Sequence, residues 1–264
     1  MDERCVVGFD GSDPSRAALR WALTRNLPLV LAHVIDPEIG MIGADYLAEE
    51  RRRGVALVAA TLAEVQRDGE ARQIDSTVLE GPVAWALADY CRPGDLLVVG
   101  THKTGFLHGR VLGSRSVEIA LLARTDVAVI PNTDLRFRVG VVAGVDRDAD
   151  LTAVVESAAR EADRRHEELL LIHSSERTGH RNGQILLADA LAIARDIAPD
   201  VVVRSRLSNR APAELLLDAG RERAALVVGT GGRDRTRSPI GSVLHDILLN
   251  ITAPTRVSRG TVSA

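Results

Sequence analysis

Short apolar runs alternate with amphipathic stretches along the chain, and the whole alternation occurs twice. Cys5 to Asp10 is an apolar run ending in an acid, and Val139 to Asp146 is its counterpart in the second half. Second runs follow at Leu29 to Ile35 and Leu169 to His173. Third runs lie at 74–79 and 201–207, fourth at 95–99 and 225–228, and fifth at 127–130 and 255–257. Most of these runs are short and continuously apolar, bounded by glycine or polar residues, and so predict buried strands. The segments between them have helical spacing, with predicted helices at 15–23, 44–68 and 83–91, then 151–162, 183–197 and 212–221. Asp13 is the predicted N-cap of the first and Pro14 its first helical residue. Near the end, Leu244, Ile247, Leu248 and Ile251 fall at i, i+3, i+4 and i+7, again helical.

A strand–helix order repeated without hairpins predicts an α/β fold, a parallel sheet covered on both faces. Two copies predict two tandem, open, five-stranded parallel sheets, doubly wound, in domains 1–134 and 135–264 with Asn132 to Asp134 as linker. Asp10 and Asp146 are 136 positions apart, Gly100 and Gly229 129 apart. The halves therefore differ by modest insertions.

Composition narrows the functional classes. The 264 residues suffice for two cores. A net charge of −3 gives no general attraction to nucleic acid or to a membrane surface. Aromatics at 3% argue against stacking platforms for single-stranded nucleic acid. No apolar run approaches the roughly 18 residues of a membrane span. The first ten residues read as a strand and not as a signal peptide. Two cysteines, Cys5 and Cys91, form neither a CxxC motif nor a disulfide framework. A cytoplasmic location is the expectation.

The segment with most chemical content runs from Gly100 to Ser114. A glycine closes the fourth strand, a basic loop with Lys103 follows, and Gly113-Ser114 opens a helix. Unpaired N–H groups and the macrodipole favour anions at such a helix start. The pattern returns from Gly229 through Gly232 to Gly241-Ser242, so a phosphate-cradling loop is duplicated. It is not a Walker loop, because Phe106-Leu107 stand where Lys-Ser/Thr is required. No GxSxG or HExxH motif is present. His33 and His173 end matching strands with no second histidine at ligand spacing, and read as hydrogen-bonded structural groups. Trp21 and Trp85 read as packing residues on helices.

An acid after the first strand, a His-Val end to the second (His33-Val34; His173-Ser174 in the second half) and a glycine-rich loop ending in Gly-Ser after the fourth, in this order twice, resemble the universal stress protein family in tandem form. The resemblance implies an adenine-nucleotide alpha-hydrolase-like fold, ATP or a related adenine nucleotide as ligand, with or without Mg, and a regulatory role in the stress response. It implies that Asp10 contacts the adenosine part, that Val34 lines the adenine pocket, and that Gly8, Gly100, Lys103, Gly113, Ser114 and Arg115 complete the first site. In the second half it implies Asp146, Gly229, Gly232, Gly241, Ser242 and Val243. It further implies an intramolecular pseudo-dimer formed through the fifth strands, with homodimerisation and an unidentified protein partner as further options.

Both loops depart from the family's glycine spacing. Lys103 occupies the middle glycine position in the first, where positive φ would strain it while its charge would serve phosphate. The second loop is one residue shorter, whether Gly231 or Gly232 is the equivalent glycine, and Arg147-Asp148 replace Gly11-Ser12. Asp10 also has an alternative role as a turn former bonded to backbone N–H groups. Ser114 and Ser242 have an alternative as ordinary N-caps. Arg110, Arg233, Arg235 and Arg237 add positive charge around the loops. The leading function is a non-enzymatic nucleotide-binding regulator, with the first half binding more tightly. The alternatives are a slow ATP hydrolase and a degenerate module that binds only protein.

Overall fold

The structure is a computed structural model that describes residues 3–37, 44–67, 73–102, 115–147, 151–176, 178–231 and 241–259. These residues divide into two compact units, the first ending at Asn132 and the second beginning at Thr133. The first unit contains β1 (Cys5–Gly8), α1 (Asp13–Leu23), β2 (Leu29–Ile35), α2 (Ala44–Arg67), β3 (Ile74–Glu80), α3 (Val83–Tyr90), β4 (Leu96–Thr101), α4 (Arg115–Leu122) and β5 (Asp126–Pro131). The second contains β6 (Val141–Gly144), α5 (Leu151–Arg165), β7 (Leu169–Ser174), α6 (His180–Ile197), β8 (Val203–Ser208), α7 (Pro212–Gly220), β9 (Ala225–Gly229), α8 (Ser242–Leu249) and β10 (Thr255–Ser258).

Within the first unit the strands run β3-β2-β1-β4-β5, and every neighbouring pair is parallel. The second unit repeats this as β8-β7-β6-β9-β10, again parallel throughout. In the first unit α1 and α2 pack against one face of the sheet and α3 and α4 against the other. Strands covered on both faces must be apolar at every position, which is why Val6, Val7, Leu97, Val98, Val127 and Val129 are buried regardless of direction. Outer strands escape that demand: Asp75 and Ser76 on β3 are exposed.

The order reverses at β1. Its two neighbours, β2 and β4, lead into helices on opposite faces, so a crevice opens beyond the carboxyl ends of β1 and β4, where ligands bind in open α/β sheets. At the opposite ends, Asp95 joins the same two strands. It accepts from Arg4 Nε at 3.1 Å, Arg4 Nη2 at 2.6 Å and the Arg92 N–H at 2.8 Å, while the Arg4 guanidinium lies over the Tyr90 ring.

Three local expectations change. The N-cap of α1 is Ser12, not Asp13: Ser12 is extended (φ −69°, ψ 160°) and its Oγ accepts from the Ser15 N–H. β1 stops at Gly8 and β6 at Gly144, because the residues that follow leave the ladder to form the turns of the crevice. Trp21 is buried beneath the Arg25 guanidinium, 4.6 Å away, whereas Trp85 is 54% exposed and packs little. Trp85 falls on the outer side of α3, while Val83 and Leu87 face inward, as a period of 3.6 requires.

Candidate functional site

The crevice of the first unit is lined by Gly8, Phe9, Asp10, Ser12, Ser15, Ala32, Val34, Val83, Leu87, Val99, Gly100, Arg115, Ser116 and Ile119. The structure thus brings five of the sequence-selected residues together: Gly8, Asp10, Val34, Gly100 and Arg115. Lys103, Gly113 and Ser114 lie outside the described residues.

Two glycines set its depth. A Cβ on Gly8 would stand 3.1 Å from Leu87 Cδ1 and 3.3 Å from Val99 Cγ1, so this position forms the floor beneath α3. A Cβ on Gly100 would stand 2.1 Å from the Pro14 carbonyl oxygen, so β4 can reach the first turn of α1 only with glycine here. That contact brings the start of α1 against the end of β4.

Asp10 sits in a turn that it builds itself. Its Oδ1 accepts from the Ser12 N–H at 3.0 Å and the Ser12 hydroxyl at 2.6 Å, an Asx turn. Partial burial pushes the carboxyl's pKa up, but the bonds from the Ser12 hydroxyl and N–H outweigh it and hold the group below the usual carboxylate range. Asp10 is therefore ionised at neutral pH. Both Ser12 bonds fall on Oδ1, and the Ser15 hydroxyl also stabilises the carboxylate. Gly11 has φ +80°, which only glycine adopts without strain, and its carbonyl accepts from Arg16 Nε at 3.2 Å. The turn-forming role and a ligand role coexist in this geometry.

The lining is two-sided. Ala32, Val34, Val83, Leu87, Val99 and Ile119 form an apolar wall, and Asp10, Ser12, Ser15, Arg115 and Ser116 supply polar groups. Arg115 and Ser116 are the first residues of α4, where the helix dipole favours an anion. Sequence reasoning passed over the α3 residues, Ser116 and Ile119. Val83, Leu87 and Ile119 have the spacing of core residues and face a cavity only because the connecting helices leave on opposite faces at the switch point. Ser15 and Ser116 carried a signal, since hydroxyls in otherwise apolar helix faces are rarely there for packing.

The second unit handles the equivalent positions differently. Asp146 is exposed, and its Oδ1 accepts from the adjacent Arg147 N–H at 2.7 Å. Gly229 ends β9. Gly241, not Ser242, is the N-cap of α8, in extended conformation, and its N–H donates to the Thr230 carbonyl at 3.0 Å. Val243 and Leu244 stand where the first unit has Arg115 and Ser116, and Leu244 is buried. Leu216, the counterpart of Leu87, lies 2.6 Å from where a Cβ on Gly144 would be. This floor is tighter than at Gly8. Gly232 lies outside the described residues.

The matching histidines bond to backbone. His33 Nδ1 is 2.8 Å from the Phe9 carbonyl. His173 Nδ1 is 2.8 Å from the Val145 carbonyl, with Nε2 2.7 Å from Thr178 Oγ1. No group of three or more potential metal ligands occurs among the described residues, and no helix among them is long and apolar enough to cross a membrane. Cys91 is a poor nucleophile: burial, helped by the neighbouring Asp95 charge, pushes its thiol up to about 12.

Fold and crevice together define a doubly wound α/β protein with its cleft at the strand switch point. A sequence model of the universal stress protein family matches residues 1–131, so the first unit is a domain of that family. A universal stress protein of Mycolicibacterium smegmatis is 28% identical over 282 residues, covering 96% of each chain. One of Mycobacterium tuberculosis is 28% identical over 298 residues, covering 96% of this chain and 94% of its own. Among solved structures, a universal stress protein from Archaeoglobus fulgidus has a TM-score of 0.74 at 15% identity, covering 98% of this chain and 97% of that one. That likeness shows the fold.

Proposed function

We propose that the first unit binds an adenine nucleotide in the crevice beyond β1 and β4, and that binding, not turnover, is the functional event. The observation that carries this reading is the two-sided lining. A planar heterocycle fits the apolar wall at Val34, Ala32 and Val83. Asp10, ionised and lining the crevice, suits ribose hydroxyls or an exocyclic amine. The Arg115 guanidinium and the start of α4 suit phosphate. Gly8 and Gly100 remove the side chains that would fill this space. Nucleotide then stabilises the conformation that holds it best, and shifts the protein toward that state and its partners. The second unit lacks the equivalents of Arg115 and Ser116. We assign it no comparable nucleotide affinity, which makes it the candidate for protein contacts.

Calorimetric titration of the full chain with ATP and with adenosine tests the assignment. Asp10→Asn keeps an Oδ1 acceptor for the Ser12 turn but removes the charge. It should weaken both ligands about tenfold, the equivalent of roughly 1.4 kcal/mol and in the range of a hydrogen bond to a charged group. Arg115→Ala should weaken ATP by a similar factor and leave adenosine unchanged. If both variants bind ATP as wild type does, the crevice is not the nucleotide site.

A further inference from the structure

The imidazole at the end of β2 lies behind the sheet from the crevice, yet it holds the peptide that carries Asp10. His33 and Val34 are successive residues of a strand and project from opposite faces. Val34 lines the crevice, while His33 faces α2, where a Cβ on Gly54 would lie 2.7 Å from its Cδ2. Glycine at position 54 is what makes room for the ring. A carbonyl oxygen only accepts, so the 2.8 Å contact assigns the proton to Nδ1 and makes His33 the donor to Phe9. Phe9 also donates its N–H to the Ala32 carbonyl at 2.8 Å. Because the peptide is planar, fixing the Phe9 carbonyl fixes the plane that begins Asp10. The Ser12 bonds shape the turn internally, and His33 sets its angle to the sheet.

The second unit provides an internal control. His173 holds the Val145 carbonyl in the same way, and Gly183 clears its ring, since a Cβ there would lie 2.9 Å from His173 Cδ2. There the device precedes Asp146, in a unit whose helix start is apolar at Val243 and Leu244.

We propose that His33 is a positioning residue for ligand binding in the first unit: through the Phe9 carbonyl it places the Asp10 carboxylate opposite Val34. This rests on the crevice being a nucleotide site. His173 performs the equivalent structural task without contributing to affinity.

The test measures ATP affinity and thermal midpoint of the full chain for wild type, His33→Ala, His33→Asn, Gly54→Ala and His173→Ala. His33→Ala should weaken ATP about tenfold, because small misplacements of a preorganised group are costly. His33→Asn offers an amide N–H near the Nδ1 position and should recover most of that loss. Gly54→Ala displaces the ring without removing it and should weaken ATP in the same direction, so the test survives if His33→Ala fails to fold. His173→Ala should lower the midpoint comparably and leave affinity unchanged. Wild-type affinity in folded His33→Ala or Gly54→Ala, or an equal loss in His173→Ala, overturns the proposal. Absence of ATP binding by wild type overturns the nucleotide reading instead.

Discussion

Gly100→Ala should lower the unfolding temperature of the first unit by about 10 °C, corresponding to roughly 3 kcal/mol for a unit of this size. The added methyl would lie 2.1 Å from the Pro14 carbonyl oxygen and 2.2 Å from its carbon. Both are backbone atoms in the first turn of α1, so no rotamer change relieves the overlap. The strand or the helix must move, and with it the turn that carries Asp10 and Ser12. Gly8→Ala is the informative contrast. Its methyl would meet the end of the Leu87 side chain at 3.1 Å, which can yield at a cost of about 1 kcal/mol or less. Differential scanning calorimetry of the two variants separates these cases. A Gly100→Ala protein that unfolds with wild type would mean that α1 and β4 do not meet as described.

Asp95→Ala should cost about 3 kcal/mol. Removing one member of a buried ion pair strands the other and typically costs about 3–5 kcal/mol. The lower end applies because the Asp95 side chain is 7% exposed but that of Arg4 is 21% exposed. The loss also removes the acceptor of the Arg92 N–H, and it loosens β1 and β4 at the end opposite the crevice. A double-mutant cycle with Arg4→Ala, followed by chemical denaturation, isolates the pair. Strongly sub-additive costs are expected, since Arg4→Ala removes the charge that Asp95→Ala leaves unpaired. Additive costs would assign the effect to packing alone.

The element order was legible because the inner strands of a doubly covered parallel sheet are uninterrupted apolar runs, and these recur in both halves at nearly matched spacing with the more polar outer strands between them. Glycine and serine at the strand ends pointed to Gly8, Asp10, Gly100 and the start of α4. What escaped sequence reasoning has physical causes. Asp13 and Ser12 are both good caps, and only the extended backbone at Ser12 distinguishes them. Val83 and Leu87 look like core residues because they are apolar on an inward face, and only the departure of the connecting helices to opposite faces at the switch point turns that face into a cavity wall. Gly54 and Gly183 sit within helices, where glycine costs stability. Gly54 makes room for the His33 ring and Gly183 for Leu207 and the His173 ring, side chains that only the folded strands bring against these helices. Arg115 and Val243 occupy equivalent places, but their contrast gains meaning only once both helix starts are located.

Native mass spectrometry of the full chain, stripped of bound ligand and titrated with ATP, tests the central claim most directly. The account predicts saturation at one nucleotide per chain, shifted about tenfold or more to higher ATP in Asp10→Ala and unchanged in Asp146→Ala. Two nucleotides per chain, none, or a single one shifted in Asp146→Ala and unchanged in Asp10→Ala would contradict it.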